Sequence, residues 1–280
     1  LISKSPTNGR KVIILDIDNC VYSESEIKAS ISSSQSNFLS IEEQIIQNTH
    51  EFGKRELNLT KTECDDMYLE HGSTVEGIRQ KLMAKANDDV INGREVSWTK
   101  EKIDSVLHDY YQKVYDGIDM TCLLPSSSSA SLNTGYNHAK SKIQLEVVRN
   151  LLHGLSHSHK IYLASNSPQK HVMKVLSTLG LKNIQYDGIL TPDTVVYECK
   201  DALTYPTKFH PEQFFHSLLS QYNAEDLVLI DDSSNNLRKA REVGIEGVRV
   251  NGDHGKRLEE ALSIVSGHIE SSVFNTKKEE

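Results

Sequence analysis

The sequence predicts an α/β protein, a doubly wound parallel sheet with helices on both faces, interrupted near its start by an all-helical insertion. Three observations carry this expectation. Short apolar runs, VIIL at 12–15, KIYLA at 160–164 and LVLI at 227–230, suit strands buried on both faces of a parallel sheet. Segments of helical periodicity separate these runs, as right-handed βαβ crossovers require. Between about residues 26 and 120 there is no convincing strand alternation, and the apolar spacing is helical.

Residues 1–10 read as a flexible lead-in to the strand at 11–15. That strand ends in Asp16 and Asp18, one residue apart, so an extended backbone places both carboxylates on one side of the chain. Like charges that close repel, and the pair is stable when a cation binds it or one member keeps a proton. Taken alone, the spacing fits a solvated turn equally well. Residues 30–40, SISSSQSNFLS, are Ser-rich and read as a loop or loosely held insertion. Ile41, Ile45, Ile46 and Phe52 then fall near helical spacing, and Ser40 with Glu43 matches a capping box. Further helices are expected over 62–70, over 73–86 from Val75, Ile78 and Leu82, and over 99–115 from Trp98, Ile103, Val106, Tyr110 and Val114.

Residues 125–139, PSSSSASLNTGYNHA, read as a polar loop leading back to the sheet. Ile143, Val147, Leu151 and Leu155 give an amphipathic helix. The strand at 160–164 ends in Ser165, Asn166 and Ser167, and a helix from about Pro168 to Leu179 stops at Gly180 in a left-handed cap. A weak strand is expected within 184–190, a helix over 209–222, and a strand at 227–230 that ends in Asp231 and Asp232. A helix over 234–243 then runs to Gly244, a last strand covers 247–250, and the tail from about residue 266 reads as poorly ordered. The expected division is a core of residues 1–25 and 140–280 and a helical unit of residues 26–139.

In parallel sheets of this kind ligands sit beyond the carboxyl ends of the strands. Asp16 and Asp18, Ser165 and Asn166, and Asp231 and Asp232 all fall at such ends, which favours a site over a solvated turn. Four acids around one pocket need compensation. A hard divalent cation with oxygen ligands supplies it, and Mg²⁺ suits a few carboxylates with waters and a substrate oxygen. Ser165 and a nearby lysine are placed to hold an oxyanion, and the combination points to phosphoryl transfer.

Composition narrows the partners. A net charge of −8 argues against nucleic acid or an anionic membrane as the main partner. No run approaches the roughly 20 apolar residues of a membrane span, and LISKSPTNGR does not resemble a signal peptide. The first residue is not Met, as in a trimmed or processed chain, and a cytoplasmic location, with access to the nucleus by diffusion, is expected. Cys20, Cys64, Cys122 and Cys199 form no C-x-x-C pair and read as buried or idle thiols. His157 and His159 lack a third ligand and read as exposed loop residues. Trp98, Tyr110, Tyr111 and Tyr115 could stack on a nucleobase but read more readily as the packing stripe of one helix.

Several segments together carry a resemblance. LDIDNCVY resembles the D-x-D motif of the haloacid dehalogenase (HAD) superfamily, and DIDNC with Tyr22 is most similar to its pyrimidine 5′-nucleotidase group. LASN resembles the second motif of that superfamily, KFHPEQF the third, with Lys208, Pro211 and Phe214 in register, and LVLIDDSSNN the fourth. The helical insertion resembles a C1 cap on a Rossmannoid core, and HGSTVEGI at 71–78 resembles a cap segment that faces the substrate. The likeness covers residues 11–250.

The resemblance implies Asp16 as the nucleophile that forms an aspartyl-phosphate, and Asp18 as the general acid and then base, holding a proton at the moment of attack. It implies Mg²⁺ held by Asp16, the backbone carbonyl of Asp18 and Asp232, with Asp231 as alternative or helper. Ser165, Asn166 and Lys208 are the implied phosphate ligands; Lys170 and Lys200 compete for the lysine role but read as solvent-exposed. Tyr22, Gly72, Ser73, Thr74 and Glu76 are implied substrate-side residues, although Glu76 also reads as a solvated helix position. Three positions depart from the pattern: Phe209 replaces a usual Pro, Asn236 a frequent acid, and Cys20 a frequent Thr or Val. The implied activity is a phosphomonoesterase acting on pyrimidine nucleoside 5′-monophosphates. Its rivals are a phosphatase for another small metabolite (pyridoxal phosphate, a sugar phosphate or a lysophospholipid) and a non-catalytic binding protein. Oligomeric state is left open.

Overall fold

The structure, a computed structural model, describes residues 10–33, 39–124, 135–195, 203, 205–250 and 257–267. Most of the lead-in, Ser-rich residues 34–38, loop residues 125–134, Cys199, Lys200 and the tail from residue 268 lie outside them.

In chain order the elements are β1 (Val12–Leu15), α1 (Glu24–Ser33), α2 (Ile41–Leu57), α3 (Lys61–His71), α4 (Thr74–Ile91), α5 (Lys100–Tyr115) and α6 (Gly135–Ser156). There follow β2 (Ile161–Ala164), α7 (Gln169–Thr178), β3 (Gly188–Leu190), α8 (Pro211–Phe214), α9 (His216–Gln221), β4 (Leu227–Asp231), α10 (Ser234–Glu242), β5 (Glu246–Arg249) and α11 (Leu258–Val265). The strands form one parallel sheet in the order β3-β2-β1-β4-β5. The fold is therefore α/β and doubly wound.

Strand periodicity explains the two-sided core. Ile13 and Leu15 of β1 face Val148 and Leu152 of α6, Val172 and Val175 of α7 and Leu262 of α11. Val12 and Ile14 face the opposite layer, with Phe214, Phe215 and Leu218 from α8 and α9 and Leu237 and Ala240 from α10. A third apolar cluster gathers Phe52, Met67, Ile78, Leu107, Tyr110, Tyr111 and Val114 from α2 to α5, with Trp98 against it. The aromatic stripe thus packs, as expected. Ile41 at the start of α2 belongs instead to the sheet cluster, with Ile118 and Met120, and ties the helical unit to the core.

Local signals set the helix ends. The capping box at Ser40 and Glu43 forms, and Thr60 with Glu63 makes a second before α3. Gly180 follows α7 with φ of 67°, as its cap position requires. At Gly77 a Cβ would fall 2.3 Å from that of Met67, so only glycine lets α3 and α4 approach this closely.

Three segments correct the sequence expectations. Residues 30–33 are helical rather than loop: Glu24 and Glu26 favour the first turn of α1, and buried Ile27 anchors it. Residues 135–139 begin α6. The helix over 209–222 is split at Phe215, because the adjacent Phe214 and Phe215 are both fully buried and pack edge to face, 5.1 Å apart. The short strand expected within 184–190 forms at its end, from Gly188, led in by Asp187, whose N–H donates to Ile161 O at 2.7 Å and whose carboxylate accepts from the Ile161 amide at 2.9 Å and from Lys160. No helix among the described residues is long and apolar enough to cross a membrane.

Candidate active site

The ladder carries the polar residues to one edge. Asp16 extends β1, its N–H donating to Ile230 O at 2.9 Å, and Ser165 extends β2, donating to Leu190 O at 3.0 Å. Asp231 is the last residue of β4. The clusters expected at the strand ends therefore meet.

Lys208, 1% exposed, lies between two carboxylates, its Nζ donating to Asp16 Oδ1 and Asp231 Oδ2 at 2.6 Å each. Asp231 is fully buried and also accepts from the Ser233 amide at 2.8 Å and from Asn236 Nδ2 at 3.1 and 3.2 Å. Asn236, where an acid was the commoner expectation, thus supports Asp231 without adding charge. Asp232 lines the cavity, and Asn19, tolerated at a φ of 55°, donates to it at 2.7 Å. Carboxylate oxygens of Asp16, Asp231 and Asp232 lie within 4.8 Å of one another. Burial and the charge of Asp231 raise the Asp16 carboxyl well above its ordinary range, and the same two causes push Asp232 up to about 6. Lys208 is held above its ordinary value: burial opposes its charge, but Asp16 and Asp231 outweigh that cost.

Asp18 stands apart from this acidic triad. Tyr22 Oη and His171 Nε2 reach its Oδ1 at 2.9 Å each, and Ser165 Oγ and Ser167 Oγ reach its Oδ2 at 3.1 and 2.6 Å. Burial raises its pKa, yet His171 and the hydroxyls more than reverse that and hold it below the usual carboxylate range. The two carboxyls are thus shifted in opposite directions by their surroundings, Asp18 down by its ring of four donors and Asp16 up by burial beside Asp231, with only Lys208 donating to it. His171 is buried and packs edge to face on Tyr115 of α5 at 5.1 Å, which links the helical unit to this ring.

A cavity of about 370 Å³ opens from these acids toward α2, α3 and α4. Tyr22, Gly72, Ser73, Thr74, Ser165, Asn166 and Lys208 line it, and Asn166 Oδ1 also accepts from the Lys208 amide at 2.9 Å. Phe209, in place of the usual Pro, packs against His71 and under Lys239 Nζ, 4.8 Å from the ring centre.

Glu76 does not line the cavity and is not solvated. It is fully buried, accepting from Gln80 at 2.7 Å and lying 3.4 Å from His210 and 3.6 Å from Arg79, whose Nη2 donates to Tyr205 O. Burial raises its pKa, but His210 and Arg79 bring it below the ordinary value of 4.5. Its stabilising contribution is therefore complete above pH 4.5 and lost as pH falls through the folded value. Melting temperature below pH 4.5 should consequently fall more steeply in the wild type than in Glu76→Gln, and equal slopes would contradict this.

Lys170 is exposed and pairs with Asp116, as its solvent reading required. His157 is exposed and neither it nor His159 joins a ligand cluster; among the described residues the only such cluster is the acidic triad. Sequence reading missed Ser167, Asn19 and Tyr68 of the cavity wall and His171 behind Asp18. Ser167 lies just beyond the β2 end and His171 four residues later in the first turn of α7, the one signal that was available.

No family model matches the chain, and no curated protein matches it. Among solved structures it is similar to β-phosphoglucomutase from Clostridium difficile, at 15% identity and a TM-score of 0.44 over 87% of this chain and 85% of that one. It is also similar to a haloacid dehalogenase-like hydrolase from Streptococcus pneumoniae, at 15% identity and a TM-score of 0.37 over 90% of each chain. The L-2-haloacid dehalogenase of Xanthobacter autotrophicus matches at 12% identity and a TM-score of 0.38 over 93% and 84%.

Proposed function

We propose that the chain is a Mg²⁺-dependent phosphomonoesterase of the haloacid dehalogenase type that hydrolyses pyrimidine nucleoside 5′-monophosphates. The observation that carries the reading is the meeting of Asp16, Lys208, Ser165 and Asp232 around one cavity, with Asp18 two residues beyond Asp16. In this reading residues 26–139 form a cap over a core of residues 1–25 and 140–280, and the cap selects the leaving group. The resemblance of DIDNC with Tyr22, and of HGSTVEGI at 71–78, to the nucleotidase group supports the nucleotide preference.

The acidic triad fits a hard cation, being all oxygen, partly buried and only partly neutralised by one lysine. Asp16, Asp232 and the Asp18 carbonyl would hold Mg²⁺, with Asp231 in support, and the ion would offset charge on the phosphoryl oxygens. Ser165, Asn166 and Lys208 orient the phosphoryl group. An Asp16 carboxylate oxygen attacks phosphorus, the ester oxygen leaves, and Asp18 supplies its proton. For that step Asp18 exchanges one of its four donors for the leaving oxygen, and the incoming phosphate dianion favours its protonated form. Asp18 then takes a proton from water, which attacks phosphorus, freeing Asp16 and inorganic phosphate.

A panel of phosphomonoesters assayed with Mg²⁺ and with chelator tests this. Phosphate release is expected to be fastest from pyrimidine 5′-monophosphates and to stop when Mg²⁺ is removed. Preference for pyridoxal phosphate, a sugar phosphate or a lysophospholipid would overturn the substrate, and no release by folded protein would favour a binding protein.

A further inference from the structure

The cavity holds more than the phosphoryl site, and its far end has a definite electrostatic character. Its lining carboxylates are Asp16, Asp18, Glu24, Glu42, Asp65 and Asp232, whereas Lys208 is the only lysine or arginine among the described residues that line it. Lys208 is already committed to Asp16 and Asp231. Two of these acids, Glu42 on α2 and Asp65 on α3, belong to the helical unit and sit on the side a leaving group would occupy. Asp65 pairs with His50 at 2.8 Å and Glu42 with Lys28 at 2.5 Å; of these partners only the His50 imidazole lines the cavity, and it is already engaged by Asp65. Apart from His50, the remaining wall at this end is apolar or hydroxyl-bearing, with Ile45, Ile46 and Leu69 beside the Thr49–Tyr110 hydroxyl pair, 3.0 Å apart.

We infer that the helical end of the cavity is a leaving-group subsite for an uncharged, hydroxyl-bearing group, and that Glu42 and Asp65 exclude esters carrying a second anion. This rests on the phosphatase reading but not on the nucleotide preference. A phosphate dianion finds Lys208 at the strand ends, where a cation on the triad would join it. A carboxylate or second phosphate on the leaving group would instead meet Glu42 and Asp65, with no described lysine or arginine lining that end and the His50 imidazole already paired to Asp65. Exclusion by like charge is a direct route to specificity where size and shape are similar. An apolar wall beside paired hydroxyls, in turn, suits a group with one apolar face and hydroxyls on its edge.

The test uses pairs of substrates that differ chiefly in that charge. Glycerol 3-phosphate and 3-phosphoglycerate are nearly isosteric, a hydroxymethyl group replacing a carboxylate; cytidine 5′-monophosphate and cytidine 3′,5′-bisphosphate form a second, larger pair. With the full chain and Mg²⁺, kcat/KM should favour the singly phosphorylated, uncharged-leaving-group member of each pair by about 10-fold, since both acids are half exposed and paired and their repulsion is screened accordingly. The ratio should narrow several-fold in Asp65→Asn and in Glu42→Gln, chiefly through KM for the anionic member. Raising salt should narrow it in the wild type, an arm that needs no variant to fold. Equal or reversed turnover within the pairs, or a ratio indifferent to both substitutions and to salt, overturns the inference while leaving the phosphatase reading intact. Release from no ester at all overturns that reading and this inference with it.

Discussion

Asp16→Asn is expected to lower phosphate release by about 10⁴-fold or more while leaving the protein at least as stable as the wild type. The two halves of this expectation come from one geometry. Asp16 is only 4% exposed and shares its neighbourhood with Asp231 and Asp232, so its charge is costly, as its raised pKa records. An amide of the same shape still accepts from Lys208 through Oδ1, at the 2.6 Å position Asp16 holds now, and removes the repulsion from the other acids. The amide cannot, however, attack phosphorus to form an acyl phosphate. Thermal melting and phosphate release measured on the same preparation separate the two effects. Retained turnover would refute Asp16 as nucleophile, and a large loss of stability would mean that its charge holds the site together.

Much of this site could be read from the chain because strand ends are signalled locally. An apolar run followed by acids locates both the end of a parallel strand and the chemistry placed there, which is how Asp16, Ser165 and Asp231 come to one edge. Lys208 was legible through Pro211 and Phe214 around it. Other features depend on partners far away in sequence. Nothing near Glu76 announces that His210 and Arg79 will bury it, 3.4 and 3.6 Å away, so its helix position looked solvated or substrate-facing. His171 is an ordinary helix residue until β1 brings Asp18 within 2.9 Å of it. The split between α8 and α9 was hidden because periodicity alone does not show that two adjacent phenylalanines will both be buried. The donor ring on Asp18 was illegible for the same reason: it follows from Tyr22, His171, Ser165 and Ser167 converging, not from the D-x-D spacing.

Lys208→Met is expected to destabilise the fold by about 3–5 kcal/mol, the usual cost of removing one partner from a buried ion pair. Methionine fills the lysine stem's volume, so the loss is electrostatic rather than a cavity. Two carboxylates, 4% and 0% exposed, then face each other without the cation that lay 2.6 Å from both. Asp16, raised by burial and Asp231 and lowered by Lys208, loses its main lowering influence and rises further. A folded carboxyl pKa above the unfolded value means that the native state binds the proton more tightly, so stability is greatest at low pH and falls as pH rises toward the folded value. The gap between wild type and variant should therefore be wider at pH 8 than at pH 5 in urea denaturation. An equal gap at both would place the lost energy in packing. A variant as stable as the wild type at pH 8 would show that other groups neutralise Asp16 and Asp231, and that Lys208 is not the counter-charge on which the acidic edge depends.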